Sequence, residues 1–472
     1  MENARGGRQM DLYTKLDLDK DAMIRETQRL IRMKSVQEEP AGDMPFGKAV
    51  DEALDYVLDI ARKMGFTVKK INGYCGYAEY GEGETYIGVM GHVDVNKEDA
   101  DNWKHDPYGG TVVNGKIYGA AAVDKGALIA ALYALRAVKE NAGRLKRKVR
   151  LIVGTDERRL YRDMASYLKH ENPPIAGFTI DGHFPVTYAE KSLAMFAFDM
   201  QVPQEGEEYI RTLHGGKLDN LVPGYCRAVV VTKRKNEIVQ ALEEYAEVNR
   251  RDINVKMLED GLLIEAFGRE RHCAALEKGI NSIAIMLDFL SYIDLGTGPC
   301  RKACDFLNEK IGMDIYGENL GIAYEDDFSG KTTVNLGTMD IEDGWLEVAL
   351  DCRYPTSCNY IGAIETINQL FEEAGFRKVS CNYWPPTYFP RNHFLIHALL
   401  ESYREVTGDE SEPVSGSSAS YAKAMPNVAA FGAHFPGEGI IWDQTDEYIE
   451  IDSLVKTAKI YARSIYQLCT AL

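Results

Sequence analysis

The chain has 472 residues, more than one hydrophobic core usually serves, so two domains are expected. Apolar residues make up 45% and charged residues 27%, which is ordinary for a soluble globular protein. The net charge of −18 argues against nucleic-acid and anionic-membrane partners, which need a basic surface, and no run of about 18 apolar residues is present to span a bilayer.

The stretch MENARGGRQMDLYTK lacks the apolar segment of a secretory signal. The nine cysteines are odd in number and show no paired C-x-x-C spacing, so reduced thiols and a cytoplasmic location are expected. Cys300 and Cys304 stand four apart, on one face of a helix, and read as core cysteines.

Residues 19–36 and 48–65 carry the apolar period of amphipathic helices, and FTVKKI reads as a strand after the second. ETYIGVMGHVDV is a short apolar run passing into polar residues, the pattern of a buried strand with a functional loop at its carboxyl end. Residues 124–142 predict a long helix, KRKVRLIVGTDE a second buried strand and AGFTIDGHFPV a third. Strands alternating with helices predict an α/β fold with a mostly parallel open sheet, whose ligands sit at the carboxyl ends of the strands. His92 and Asp94, Asp156 and Glu157, and Asp181 all fall at such ends. From about Ser192 alternating strands (LAMFAFDMQV, CRAVVVTK, GLLIEAFG, WLEVALDCRYP) mix with helices, which reads as an inserted α+β domain. The expected division is 1–192, 193–385 and 386–472, with the first and last parts forming one domain.

His92-Val93-Asp94 follows a strand, so a histidine can bind a metal while a nearby carboxylate orients a ring. Alone this is a weak signal. Its weight comes from WKHDPYGGTVVNGKIYGAAAVDKG at 103–126, then GTDE, DGHFPV, EKGIN, DCRYP, YAKAMPN and FGAHFPG in order. In order and spacing these motifs resemble the zinc-dependent aminoacylase, carnosinase and carboxypeptidase G superfamily, and most of all its bacterial PepV-type dipeptidases, over roughly residues 15 to 470.

The resemblance implies a zinc-exopeptidase-like catalytic domain with a lid, and a pair of zinc ions. His92, Asp181 and a bridging aspartate would hold one ion. The bridge, a glutamate after Glu157 and a histidine near the C-terminus would hold the other. Glu157 matches the general base and Asp94 the carboxylate that supports the metal site. Asn220 and His272 match lid residues that bind substrate, and Arg353 a lid arginine suited to a substrate carboxylate. The chain departs from this pattern. Arg158 stands at one ligand position, and an arginine stays protonated and cannot ligate zinc. Asp443 stands where the second histidine is implied. GAAAVDKG is one residue short, so the bridge is Asp124 or Val123 according to the anchor chosen. Ser418-Ala419-Ser420-Tyr421 replaces a Gly-Gly-Thr-Tyr loop.

At most one zinc ion is therefore expected. His183, two residues after Asp181, is a candidate replacement ligand, though an ordinary polar histidine is the simpler reading, and His434 is a second unusual histidine. Three functions stay open. The first is a dipeptidase or amidohydrolase with an altered, mononuclear site acting on a small dipeptide-like substrate. The second is an inactive paralogue that binds a small peptide or amino-acid derivative between lid and core. The third is zinc-free chemistry using Glu157 and His272 as acid and base. Charge complementarity suggests an Arg158–Asp443 ion pair in place of the second metal. Family analogy suggests a monomer.

Overall fold

The structure is a computed structural model; it describes residues 12–471 apart from 142, 144, 205, 296–297 and 439–443. The chain forms two compact units. One takes in the residues up to Ala189, Thr387–Ser415 and those from Ala419 onward; the other takes in Glu190–Pro386 and Gly416–Ser418. Among the described residues no helix is long and apolar enough to cross a membrane.

The first unit is α/β. Its sheet has nine strands among the described residues. The centre is parallel, in the order Lys148–Gly154, Tyr86–His92, Ala176–Thr179 and Val428–Ala430. Antiparallel pairs flank this centre, because Thr67–Ile71 and Cys75–Tyr80 form a hairpin laid against Lys148–Gly154. Tyr86–His92 is buried along its whole length, as expected of a strand covered on both faces. Gly91 is closely packed there: a Cβ would come within 2.5 Å of the Ile180 side chain and 3.2 Å of Leu128, which would have to shift. The helix Ala122–Asn141 is buried almost throughout and shares one core with the helices Lys48–Lys63 and Ile451–Ala471.

Two elements differ from the sequence pattern in ways that shape the site. The helix read over 19–36 is Lys20–Arg32. Beyond it the Ser35 hydroxyl donates to the Val93 carbonyl at 2.5 Å, and the Val95 N–H donates to Ser35 O at 3.0 Å. Extended chain, not helix, satisfies those groups. AGFTIDGHFPV is two strands: Ala176–Thr179 belongs to the large sheet, and Gly182–His183 pairs instead with Ala433–His434. Asp181 lies at the break.

The second unit is α+β. Its eight-stranded antiparallel sheet runs Asp252–Met257, Gly261–Phe267, Tyr225–Val231, Tyr209–Gly215, Thr333–Glu342, Trp345–Tyr354, Ser192–Gln201, Arg377–Trp384. The helices Lys235–Asn249, Ser282–Tyr292, Pro299–Lys310 and Tyr360–Glu373 share its hydrophobic core. Asn281 caps the second of these by accepting the N–H groups of Ile283 and Ala284 at 2.9 and 3.2 Å. Phe198 stacks on Phe371 at 4.1 Å between ring centroids, which ties sheet to helix.

Candidate metal centre

The carboxyl ends of the parallel strands in the first unit carry the candidate site. His92 is the last residue of Tyr86–His92 and stands in register with Gly154. Its Nδ1–H donates to the Asp94 carbonyl at 2.9 Å and lies 3.2 Å from Asp94 Oδ1. Asp94 is fully buried and also accepts the N–H groups of Glu157 (3.3 Å) and Arg158 (3.0 Å). One carboxylate thus fixes both the imidazole and the turn that carries Glu157, the supporting arrangement metal-binding histidines commonly show. Burial alone would raise the Asp94 pKa; the His92 ring and the Arg158 N–H outweigh it and hold Asp94 below the usual carboxylate value.

The Nδ1 bond leaves Nε2 pointing into the site. Nε2 is buried and has no hydrogen-bond partner among the described residues. It faces Glu157 Oε2 at 3.8 Å and Asp124 Oδ2 at 3.7 Å. His92, Glu157 and Asp181 bring one donor atom each to within 4.8 Å of one another. A buried imidazole nitrogen left without a donor or acceptor is costly unless something occupies its lone pair. One imidazole and two carboxylates suit a divalent ion of the zinc or manganese type. The donor set fits such an ion. Burial raises the Glu157 pKa well above its ordinary value, and the neighbouring Asp181 charge adds to this, while Arg158 opposes it.

Asp124 is nearly fully buried in the first turn of Ala122–Asn141. Its Oδ2 pairs with Arg158 Nη2, and Arg158 Nε lies 3.8 Å from Glu157 Oε2. Val123 turns into the hydrophobic core, and its N–H donates to Glu447 Oε1 at 3.0 Å. Of the two residues left open as the bridge, Asp124 is the one beside His92. The next residue, Lys125, is buried and donates to the carbonyls of Leu30 and Met33 at 2.9 Å each; burial lowers its pKa to about 7. Asp443 lies outside the described residues, as does the Arg158–Asp443 pair suggested by charge; among the described residues Arg158 pairs with Asp124 and lies near Glu157.

His183 and His434 face each other across their paired strands, ring centroids 5.5 Å apart and nearly perpendicular. Burial, helped by His434, depresses His183 to about 4. His183 is not part of the converging donor group among the described residues. In the second unit, Asn220 and His272 are brought together. Leu221 pairs opposite His272, and the Asn220 carbonyl accepts the Cys273 N–H at 3.0 Å. Asn335 holds the loop by donating to the carbonyls of Asp219 and Leu221 at 2.9 Å each. Arg353 has its fork on Asp351, with both bonds 2.8 Å long, and a further nitrogen on the Ser417 carbonyl.

Sequence reasoning passed over several residues that shape the first unit's site. Gln37 Nε2 donates to Thr155 O at 3.0 Å and Asp156 Oδ1 at 2.8 Å. Arg162 binds Asp156 through Nε at 2.7 Å and Nη2 at 2.8 Å. Asp163 and Tyr421 complete this support. Gln37, Arg162 and Asp163 lie in no motif with recognisable spacing; Tyr421 opens YAKAMPN, but nothing in that motif pointed to this bond.

Residues 88–467 match the family model described as peptidase family M20/M25/M40. The chain belongs to that family. Its relatives include the protein YtjP of Bacillus subtilis strain 168, assigned as a dipeptidase, at 32% identity over 95% of this chain and 97% of YtjP. The Staphylococcus haemolyticus protein SH1171, with the same assignment, is 28% identical over 95% of this chain and 97% of its own. Among solved structures, human carnosine dipeptidase 1 superposes with a TM-score of 0.61 at 14% identity, covering 98% of each chain. The dipeptidase Dug1p of Saccharomyces cerevisiae gives 0.59 at 12% identity, covering 97% of this chain and 98% of its own. At these identities the structures speak for the fold alone. Peptidases of this family depend on metal ions, and among the described residues the His92–Glu157–Asp181 group could hold one.

Proposed function

We propose that the protein is a dipeptidase-like amide hydrolase whose site holds one divalent ion, with Arg158 in place of a second. The observation that carries the reading is the pairing of two features. A buried, unsatisfied His92 Nε2 faces two carboxylates, and an arginine already neutralises Asp124 beside them. His92 and Asp181 would hold the ion. When bound, it would polarise a scissile carbonyl and make water a better nucleophile.

The remaining roles belong to the chain's own side chains. Asp94 keeps His92 in one tautomer and holds the Glu157 turn. Glu157, with its raised pKa, is suited to take a proton from water and return it to the departing amine. Arg158 supplies a fixed positive charge to Asp124 and Glu157, which limits the repulsion among the four buried or half-buried acids of the site. In the second unit, Asn220 and His272 are the candidates for substrate contact. Arg353 has its fork committed to Asp351, so its part is to order its own strand before any substrate carboxylate.

The engagement of Asp124 by Arg158 also favours a second reading, a paralogue that binds a small peptide without cleaving it. A panel of dipeptides, assayed with added Zn²⁺, Mn²⁺ or Co²⁺, separates the two. The hydrolase reading predicts turnover that a chelator abolishes and added metal restores. Binding of dipeptides without turnover under any of these metals would leave only the second reading.

A further inference from the structure

Asp163 lies outside every motif, yet it is fully buried behind the site. Its Oδ2 accepts the N–H groups of Thr155 at 2.7 Å and Asp156 at 3.0 Å, and the Tyr421 hydroxyl as well. Its Oδ1 accepts the Met164 N–H at 2.7 Å. Thr155 and Asp156 lead directly into Glu157. The Tyr421 ring lies edge-on to His92, centroids 6.4 Å apart and planes at 85°. Gly154 is bare for the same reason: a Cβ there would overlap both the Tyr421 hydroxyl and Asp163 Oδ2.

A fully buried carboxylate is costly, and burial pushes Asp163 up to about 7. Four donors aimed at it offset that cost, and three of them converge on one oxygen. Those three come from two segments more than 250 residues apart in sequence, the turn before Glu157 and the 420–421 loop. We infer that Asp163 is a positioning residue, one that fixes the Glu157 turn and, through Tyr421, the edge of His92, so that the acid–base carboxyl and the metal-binding ring keep one mutual geometry. The inference rests on the proposed reading of that site as a metal-dependent hydrolase.

Two variants test it. Tyr421→Phe removes a single hydroxyl, and Asp163→Asn replaces one acceptor oxygen with an amide nitrogen. Each is measured three ways: Zn²⁺ affinity by calorimetry, dipeptide kcat and KM below the melting transition, and the Glu157 position in a crystal structure. Zn²⁺ affinity or kcat should fall by about tenfold or more in both, with KM within about threefold, as when a partner holding a metal-binding group is removed. The double variant should be no worse than Asp163→Asn alone, because the Tyr421 hydroxyl acts through Asp163. A Zn²⁺ affinity, a kcat and a Glu157 position all unchanged in both single variants would overturn the inference, even if the melting temperature drops. If the native protein binds Zn²⁺ and the variants weaken that binding, but no dipeptide is cleaved, the hydrolase reading fails and the positioning role stands.

Discussion

Glu157→Gln should leave a folded protein that still takes up its ion while dipeptide hydrolysis falls by about a hundredfold or more. The substitution keeps the side chain's size and its contact with His92 Nε2, now 3.8 Å, and removes the group that can exchange a proton. Two measurements on the same sample make the result specific. Retained metal with lost turnover assigns Glu157 to proton transfer. Metal lost together with turnover would instead make Glu157 a ligand, a role its place in the converging donor group also allows. An unchanged rate would mean that the activity measured does not use this site.

Arg158→Glu combined with Asp443→His should convert a site for one ion into a site for two. Asp124 stands beside His92, where it can be shared by two ions once Arg158 releases it. The substitutions restore the two residue types implied by the resemblance at the second position. Arg158→Glu alone breaks a pair whose side chains are 14% and 6% exposed, and breaking a buried pair costs about 3–5 kcal/mol. It also adds a fifth acid to Asp94, Asp124, Glu157 and Asp181. The single variant should therefore melt well below the native protein without metal. The double variant should regain stability as Zn²⁺ is added, by about 2.7 kcal/mol at a hundredfold excess over Kd. A double variant that still binds one ion would show that Asp124 does not bridge.

The elements that position the site were largely legible in the sequence. The periodicity of 48–65 matches Lys48–Lys63, and the apolar run before His92 is the buried strand Tyr86–His92. His92 and Glu157 fall at the carboxyl ends of buried strands, where such sheets bind ligands, but they could be singled out only with the ordered motifs of the family resemblance. The bridge could not be chosen, since Val123 and Asp124 both fit a motif one residue short. One residue along a helix is about 100° of rotation, and only packing decides which side chain meets the core. The helix over 19–36 was read too long because amphipathic period does not register that Ser35 finds partners at Val93 and Val95. Arg158 was seen as a replaced ligand, but its partner Asp124 is a matter of tertiary placement. The parts played by Gln37, Asp163 and Tyr421 were hidden for the same reason: Gln37 reaches Asp94, 57 residues away, and Tyr421 reaches Asp163, 258 residues away.

The central claim is a single-ion site with an arginine beside it, and metal content tests it most directly. Protein purified without added metal, then dialysed against a slight excess of Zn²⁺ and freed of unbound ion, should carry about one ion per chain, and His92→Ala should carry none. Two ions per native chain, with Arg158 intact, would contradict the account.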